Sequence, residues 1–147
     1  MKDYLDNRGR QLPTGEWLTI DQPRINAFAD ATLDHQYIHI DQERASQTHL
    51  GGTIAHGFLV LSLMPKLIAN SLITPASMVM GINYGFDKVR FLNPVYPGDA
   101  IRLVASIKAI EPRGDNSYLQ RLDVQIEIKG KSKPAIVCEW LNFFVCE

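Results

Sequence analysis

The sequence predicts an α+β fold in which a curved, mostly antiparallel sheet wraps one long buried helix. Three observations carry this. The run from Phe58 to Met64, continued by Leu67 and Ile68, is apolar on nearly every side, with Ser62 its one small polar residue, so it belongs inside other structure. About five strand-like segments follow it, at 78–84, 86–92, 101–111, 117–129 and 135–145, separated by turn-forming residues. In one of them Leu122, Val124, Ile126 and Ile128 alternate with Asp123, Gln125, Glu127 and Lys129, a period of two with one dry and one wet face. One helix followed by a run of strands is an α+β pattern. At 147 residues, 46% hydrophobic and 21% charged, the chain suits a single domain spanning 1–147.

The elements before the buried helix are shorter. Residues 16–20 make a short strand ending at Asp21, which has the chemistry of a helix N-cap. Pro23 then fits the first helical turn, where its missing N–H has no partner to lose. Ile25, Phe28 and Ala29 form the apolar face of a helix ending near Ala31 or Thr32. No sustained period follows from Asp34 to Thr53, apart from a capped helical turn at 41–45; the stretch 37–40 reads as extended. The next helix opens at His56-Gly57, and Pro65 within it bends the axis or marks a change of turn. Turns lie at 94–99, 113–116 and 129–131.

Charge and cysteine content exclude several classes. With 15 basic and 16 acidic residues the net charge is -1, so there is no long-range attraction to polyanions and nucleic acid is not the expected partner. Cys138 and Cys146 lie on one face of one strand, too far apart to bridge, so no disulfide framework exists and a reducing compartment suffices. The first eight residues carry charges where a signal peptide needs an apolar core, and no apolar run approaches the roughly 20 residues of a membrane span. A cytoplasmic protein without a membrane partner is expected.

Residues able to do chemistry cluster in Asp34-His35-Gln36-Tyr37-Ile38-His39-Ile40-Asp41. The carboxylate of Asp34 and the imidazole of His39, five residues apart across a turn, can converge on one water and move a proton near neutrality. The bland reading is a turn-forming Asp and a half-buried ring. At the helix start, Gly57 leaves backbone N–H groups open to a carbonyl oxygen that gains negative charge, or it merely lets a sheet press close. His35 and His39 would share a metal only on a helix, and with 37–40 extended no metal is expected. No phosphate-binding glycine loop follows a strand, and Gly-x-Ser-x-Gly is absent, which argues against a serine hydrolase.

Taken together, these segments resemble the MaoC-like, (R)-specific enoyl-CoA hydratase family of the hot-dog fold, in the branch resembling nodulation protein N. Asp34, His39 and Asp41 match the fixed positions of that family's Asp-x-Asn-Pro-x-His-x-Asp motif, with Gln36 and Tyr37 in place of Asn and Pro. Gly51-Gly52-Thr53-Ile54-Ala55-His56-Gly57-Phe58-Leu59, Gly81-Ile82-Asn83-Tyr84-Gly85, Lys88-Val89-Arg90-Phe91 and Pro97-Gly98-Asp99 also match, so the likeness covers nearly the whole chain. The resemblance implies a homodimer of hot-dog domains that reversibly hydrates a trans-2-enoyl-CoA to an (R)-3-hydroxyacyl-CoA. It implies that Asp34 and His39 hold the catalytic water and that the Gly57 N–H binds the thioester oxygen. Gln36 orients the water or Asp34, or simply holds the loop, and Ser62 either meets substrate or serves packing. Lys88 and Arg90 are the expected contacts to the coenzyme A phosphates. No cofactor is expected, because coenzyme A is part of the substrate. Two alternatives stand beside this reading: a hot-dog acyl-CoA thioesterase, and a non-catalytic acyl-CoA-binding protein.

Overall fold

The computed structural model describes residues 2–147; Met1, which opens the charged N-terminal stretch, lies outside them. In chain order the elements are α1 (Lys2–Leu5), β1 (Leu18–Thr19), α2 (Gln22–Thr32), α3 (Tyr37–Ile40), α4 (Gln42–Ser46), α5 (Gly57–Ser62), α6 (Met64–Ile68), β2 (Met78–Phe91), β3 (Ala100–Pro112), β4 (Ser117–Ile128) and β5 (Ile136–Cys146). The strands form one antiparallel sheet in the order β1-β3-β4-β5-β2. Alternation sets its inner face: Leu122, Val124, Ile126 and Ile128 are buried in β4, while Asp123 and Gln125 are exposed. Leu59, Val60, Met64, Leu67 and Ile68 from the helices join the same core, with Trp140 and Phe144 of β5.

The apolar run is two helices rather than one long one. Leu63 separates α5 from α6, and Pro65 falls in the first turn of α6, where a missing N–H costs least. Hydrogen bonds from Leu63 N to the Leu59 carbonyl and from Leu67 N to the Leu63 carbonyl carry the path across the break. The run is also not wrapped on every side. Phe58, Ser62 and Pro65, at spacings that share one helical face, are exposed, and Phe58 meets Phe91 of β2 edge-on at 5.8 Å.

The expected pair of strands at 78–84 and 86–92 is a single strand, β2. Its pairing with β5 continues from Met78↔Cys146 to Phe91↔Ile136, and Gly85 pairs with Leu141 after a register shift at Tyr84 instead of ending the ladder. Further shifts lie between Met78 and Met80 and between Asp87 and Arg90, where Lys88 has a φ of 55°. The long strands therefore number four, with the two-residue β1 beside them. Residues 37–40 are the helical turn α3 and not extended chain: His39 N bonds to the Gln36 carbonyl and Asp41 N to the Tyr37 carbonyl. One turn is too short for periodicity to reveal it. Asp21 caps α2 and Asp41 caps α4, each accepting a backbone N–H three residues on. Among the described residues no helix is long and apolar enough to cross a membrane.

Candidate active site

The site is built on the turn between α2 and α3. Leu33 closes α2 in the left-handed region (φ 62°) and turns the chain so that Asp34 stands clear of the helix end. The Gln36 backbone N–H donates to Asp34 Oδ1 at 3.4 Å, which holds the carboxylate over the turn. Next, α3 carries His39 inward. His39 Nδ1 donates to the Ile54 carbonyl at 2.7 Å; since a carbonyl only accepts, the ring's proton sits on Nδ1 and the Nε2 lone pair is free. Behind it, Gln22 Nε2 donates to the His39 carbonyl at 2.7 Å and the Thr53 hydroxyl donates to Gln22 Oε1 at 2.7 Å. Thr53 N donates to Gln42 Oε1 at 3.0 Å, so α2, α4 and the loop before α5 are tied together around α3.

His56, the N-cap of α5, completes the cluster. Its Nε2 donates to the Asp34 backbone carbonyl at 3.0 Å and lies 4.0 Å from Asp34 Oδ2. Its ring stacks on His39 with centroids 3.8 Å apart and an interplanar angle of 22°. His39 is 7% exposed and His56 2% exposed, whereas half of the Asp34 side chain meets solvent. One ligand-type atom from each of Asp34, His39 and His56 falls within 4.8 Å of the others. The nitrogen of His56 beside Asp34, Nε2, is spent on the Asp34 carbonyl, and nearly parallel stacked rings cannot aim two lone pairs at one ion, so the geometry favours proton transfer over metal binding. Burial lowers the His39 pKa from its ordinary 6.5, with the bond to Ile54 acting the other way. Its base form therefore persists into mildly acidic solution.

Gly57 begins α5 beside this cluster and lines a cavity of about 280 Å³ with Leu50, Ile54, Val60, Phe91 and Ile136. A Cβ at Gly57 would lie 2.7 Å from the Phe91 ring, so any larger residue there needs that half-exposed ring to move. The first N–H groups of a helix have no partner within it, so this end of the cavity is lined by open donors.

The other expected residues are dispersed. The Gln36 side chain is exposed and only its backbone engages Asp34. Ser62 Oγ donates to the Phe58 carbonyl of its own helix at 2.6 Å. Lys88 pairs at 3.1 Å with Glu139, which also binds Lys108. Glu139 precedes the core residue Trp140, so this cluster occupies the sheet face opposite the helices. Arg90, next to Phe91, donates to the Val89 carbonyl at 2.7 Å. Three residues that hold the pair in place, His56, Gln22 and Gln42, escape a reading of the sequence. The His56-Gly57 dipeptide draws attention to the glycine, and neither glutamine belongs to any chemical motif.

An apolar helix pair against a curled antiparallel sheet defines a hot-dog domain, here with a carboxylate and an imidazole converging beside the helix start. The chain belongs to the MaoC-like dehydratase family, a hydro-lyase family: the family model described as "MaoC like domain" matches residues 5–127. It is 40% identical over 143 residues to nodulation protein N of Rhizobium leguminosarum bv. viciae, covering 97% of this chain and 89% of that one. It is 41% identical over 137 residues to 3-hydroxyacyl-thioester dehydratase Z of Mycobacterium tuberculosis, covering 93% and 90%. Among solved structures, an (R)-hydratase from A. caviae aligns with a TM-score of 0.69 at 24% identity, covering 90% and 97%, and shows the fold.

Proposed function

We propose that this hydro-lyase adds water reversibly to a trans-2-enoyl-CoA to give an (R)-3-hydroxyacyl-CoA, with Asp34 and His39 activating the water. The observation that carries the reading is the His39 Nδ1 bond to the Ile54 carbonyl, which leaves Nε2 as a base beside the Asp34 carboxylate. A water held between them gives its proton to Nε2 as its oxygen bonds to C3. The C2–C3 double-bond electrons move towards the thioester, whose oxygen gains charge and is met by the Gly57 N–H, a contact that strengthens towards the transition state. The pair returns the proton to C2, so the net addition is OH at C3 and H at C2. The reaction asks for no metal or redox group, only a polarised carbonyl and a proton shuttle. The names carried by the mycobacterial relative and the A. caviae neighbour support the thioester substrate and the (R) configuration. Of the two cations, we assign Arg90, which precedes the cavity-lining Phe91 in the chain, to the coenzyme A phosphates, since Lys88 is committed to Glu139.

The active form we propose is a homodimer joined along β2, an edge strand that carries exposed Val79, Met80, Ile82 and Tyr84 next to exposed Phe58. A cytoplasmic setting is supported by Cys138 and Cys146, both free and buried. The test follows the enoyl-thioester ultraviolet absorbance with crotonyl-CoA and a longer trans-2-enoyl-CoA. Hydration by the wild type, lost in Asp34→Asn and His39→Ala, is the expected result. Release of free coenzyme A in its place identifies a thioesterase, and binding without turnover identifies an acyl-CoA-binding protein; either overturns the proposal.

A further inference from the structure

We infer that His56 is a positioning residue: its Nε2–H anchors the Asp34 backbone carbonyl while its ring carries His39, so one side chain sets the separation of carboxylate and base. This rests on the hydratase reading above. The contacts run in three directions. Nε2 reaches the Asp34 carbonyl at 3.0 Å, one ring face lies 3.8 Å from His39, and Phe28 of α2 packs against His56 at 4.9 Å with a tilt of 56°. The next residue in the chain is Gly57, so the same backbone that places the open N–H groups also places this ring.

Packing alone does not account for a histidine here. His56 Nδ1 is buried with no hydrogen-bond partner, a cost that a phenyl ring of similar shape avoids while stacking as well. What histidine adds is the Nε2–H donor, and that donor is spent on the residue whose carboxylate faces His39. Each ring therefore gives one N–H to a backbone carbonyl, His39 to Ile54 and His56 to Asp34, which sets both tautomers and leaves the His39 Nε2 lone pair towards the substrate side. The titratable groups facing His39 are Asp34 from the turn after α2 and His56 from the start of α5. From α2 itself come the uncharged Gln22 and, behind His56, Phe28.

Two variants separate the two contacts. His56→Phe keeps a flat ring and loses the donor; His56→Gln keeps an N–H of similar reach and loses the ring. With crotonyl-CoA, both fold and both lose about ten- to a hundredfold in kcat with little change in KM, because His56 orients reacting groups without touching substrate. In His56→Gln the acid limb of kcat/KM also moves to higher pH, as water reaches the uncovered face of His39. A kcat within about twofold of wild type in both variants overturns the inference. So does a loss of activity that merely follows loss of melting temperature with the acid limb unmoved. Should the wild type hydrate no enoyl thioester, the hydratase reading falls, and ¹H–¹⁵N spectra of the histidines still decide this one. An unchanged His39 titration in folded His56→Gln would reject it.

Discussion

At the scale of single residues, His39 is defined by what surrounds its two nitrogens. Nδ1–H is committed to the Ile54 carbonyl, and burial makes protonation of the ring harder than in water, so the acid limb of kcat/KM should lie below the ordinary imidazole value of 6.5. A pH–rate profile whose acid limb falls at or above that value contradicts the role of His39 as base. Asp34→Asn keeps the shape of the turn and removes the base partner, so turnover should drop by roughly two orders of magnitude or more while the melting temperature holds. Gly57→Ala brings a methyl group to 2.7 Å from the Phe91 ring. Phe91 is half exposed and free to swing, so the expected cost in stability is under about 1 kcal/mol, with a larger loss in activity. Comparing urea midpoints with kcat in the same variant checks this. The Asp34/His39 pair stood out in the sequence because it matches the fixed positions of the family motif; a carboxylate and an imidazole five residues apart only allow acid–base chemistry. His56 did not stand out, since its pairing with His39 spans seventeen residues and depends on how a loop returns over a turn.

At the scale of elements, local chemistry and local contacts decide different things. Asp21 caps α2 through the Arg24 N–H at 2.9 Å, and Asp21→Ala should cost about 1 kcal/mol in chemical denaturation. Gly15→Ala should cost more, roughly 1–3 kcal/mol, because its Cβ would sit 2.6 Å from the Leu67 backbone oxygen, which cannot swing aside as a side chain can. A Gly15→Ala protein as stable as wild type would show that the loop over α6 yields. The cap of α2 and the alternation of β4 follow from residue type and were readable in advance. The helical turn α3 and the unbroken β2 were not. One turn has no period to detect, and Gly85 ends a strand or bends one depending on whether a neighbour continues the ladder, which here β5 does.

At the scale of the whole molecule, the exposed apolar surface is concentrated on one side. Phe58 is 66% exposed and Tyr84 65% exposed, and both belong to the margin formed by α5 and the edge strand β2. A second copy of the chain laid edge to edge would satisfy the free backbone groups of β2 and cover this margin together. Light scattering at micromolar concentration should return twice the chain mass, and the double variant Phe58→Lys/Tyr84→Lys should return the single mass with reduced hydration. A wild-type monomer, or a dimer unaffected by both lysines, would place the interface elsewhere or remove it.

The sequence by itself determined the class of fold, the caps, the inward face of the sheet and which carboxylate and imidazole stand as candidates for acid–base work. All of these depend on residue type and short-range periodicity, which one chain carries in its own order. Tertiary structure alone decided that the buried helix divides at Leu63 and leaves one face open, that Lys88 faces Glu139 and not the site, and that His56 lies on His39. Each of these joins groups that are distant in sequence or sets a side chain's direction through packing against a neighbouring element, and no spacing along the chain encodes either.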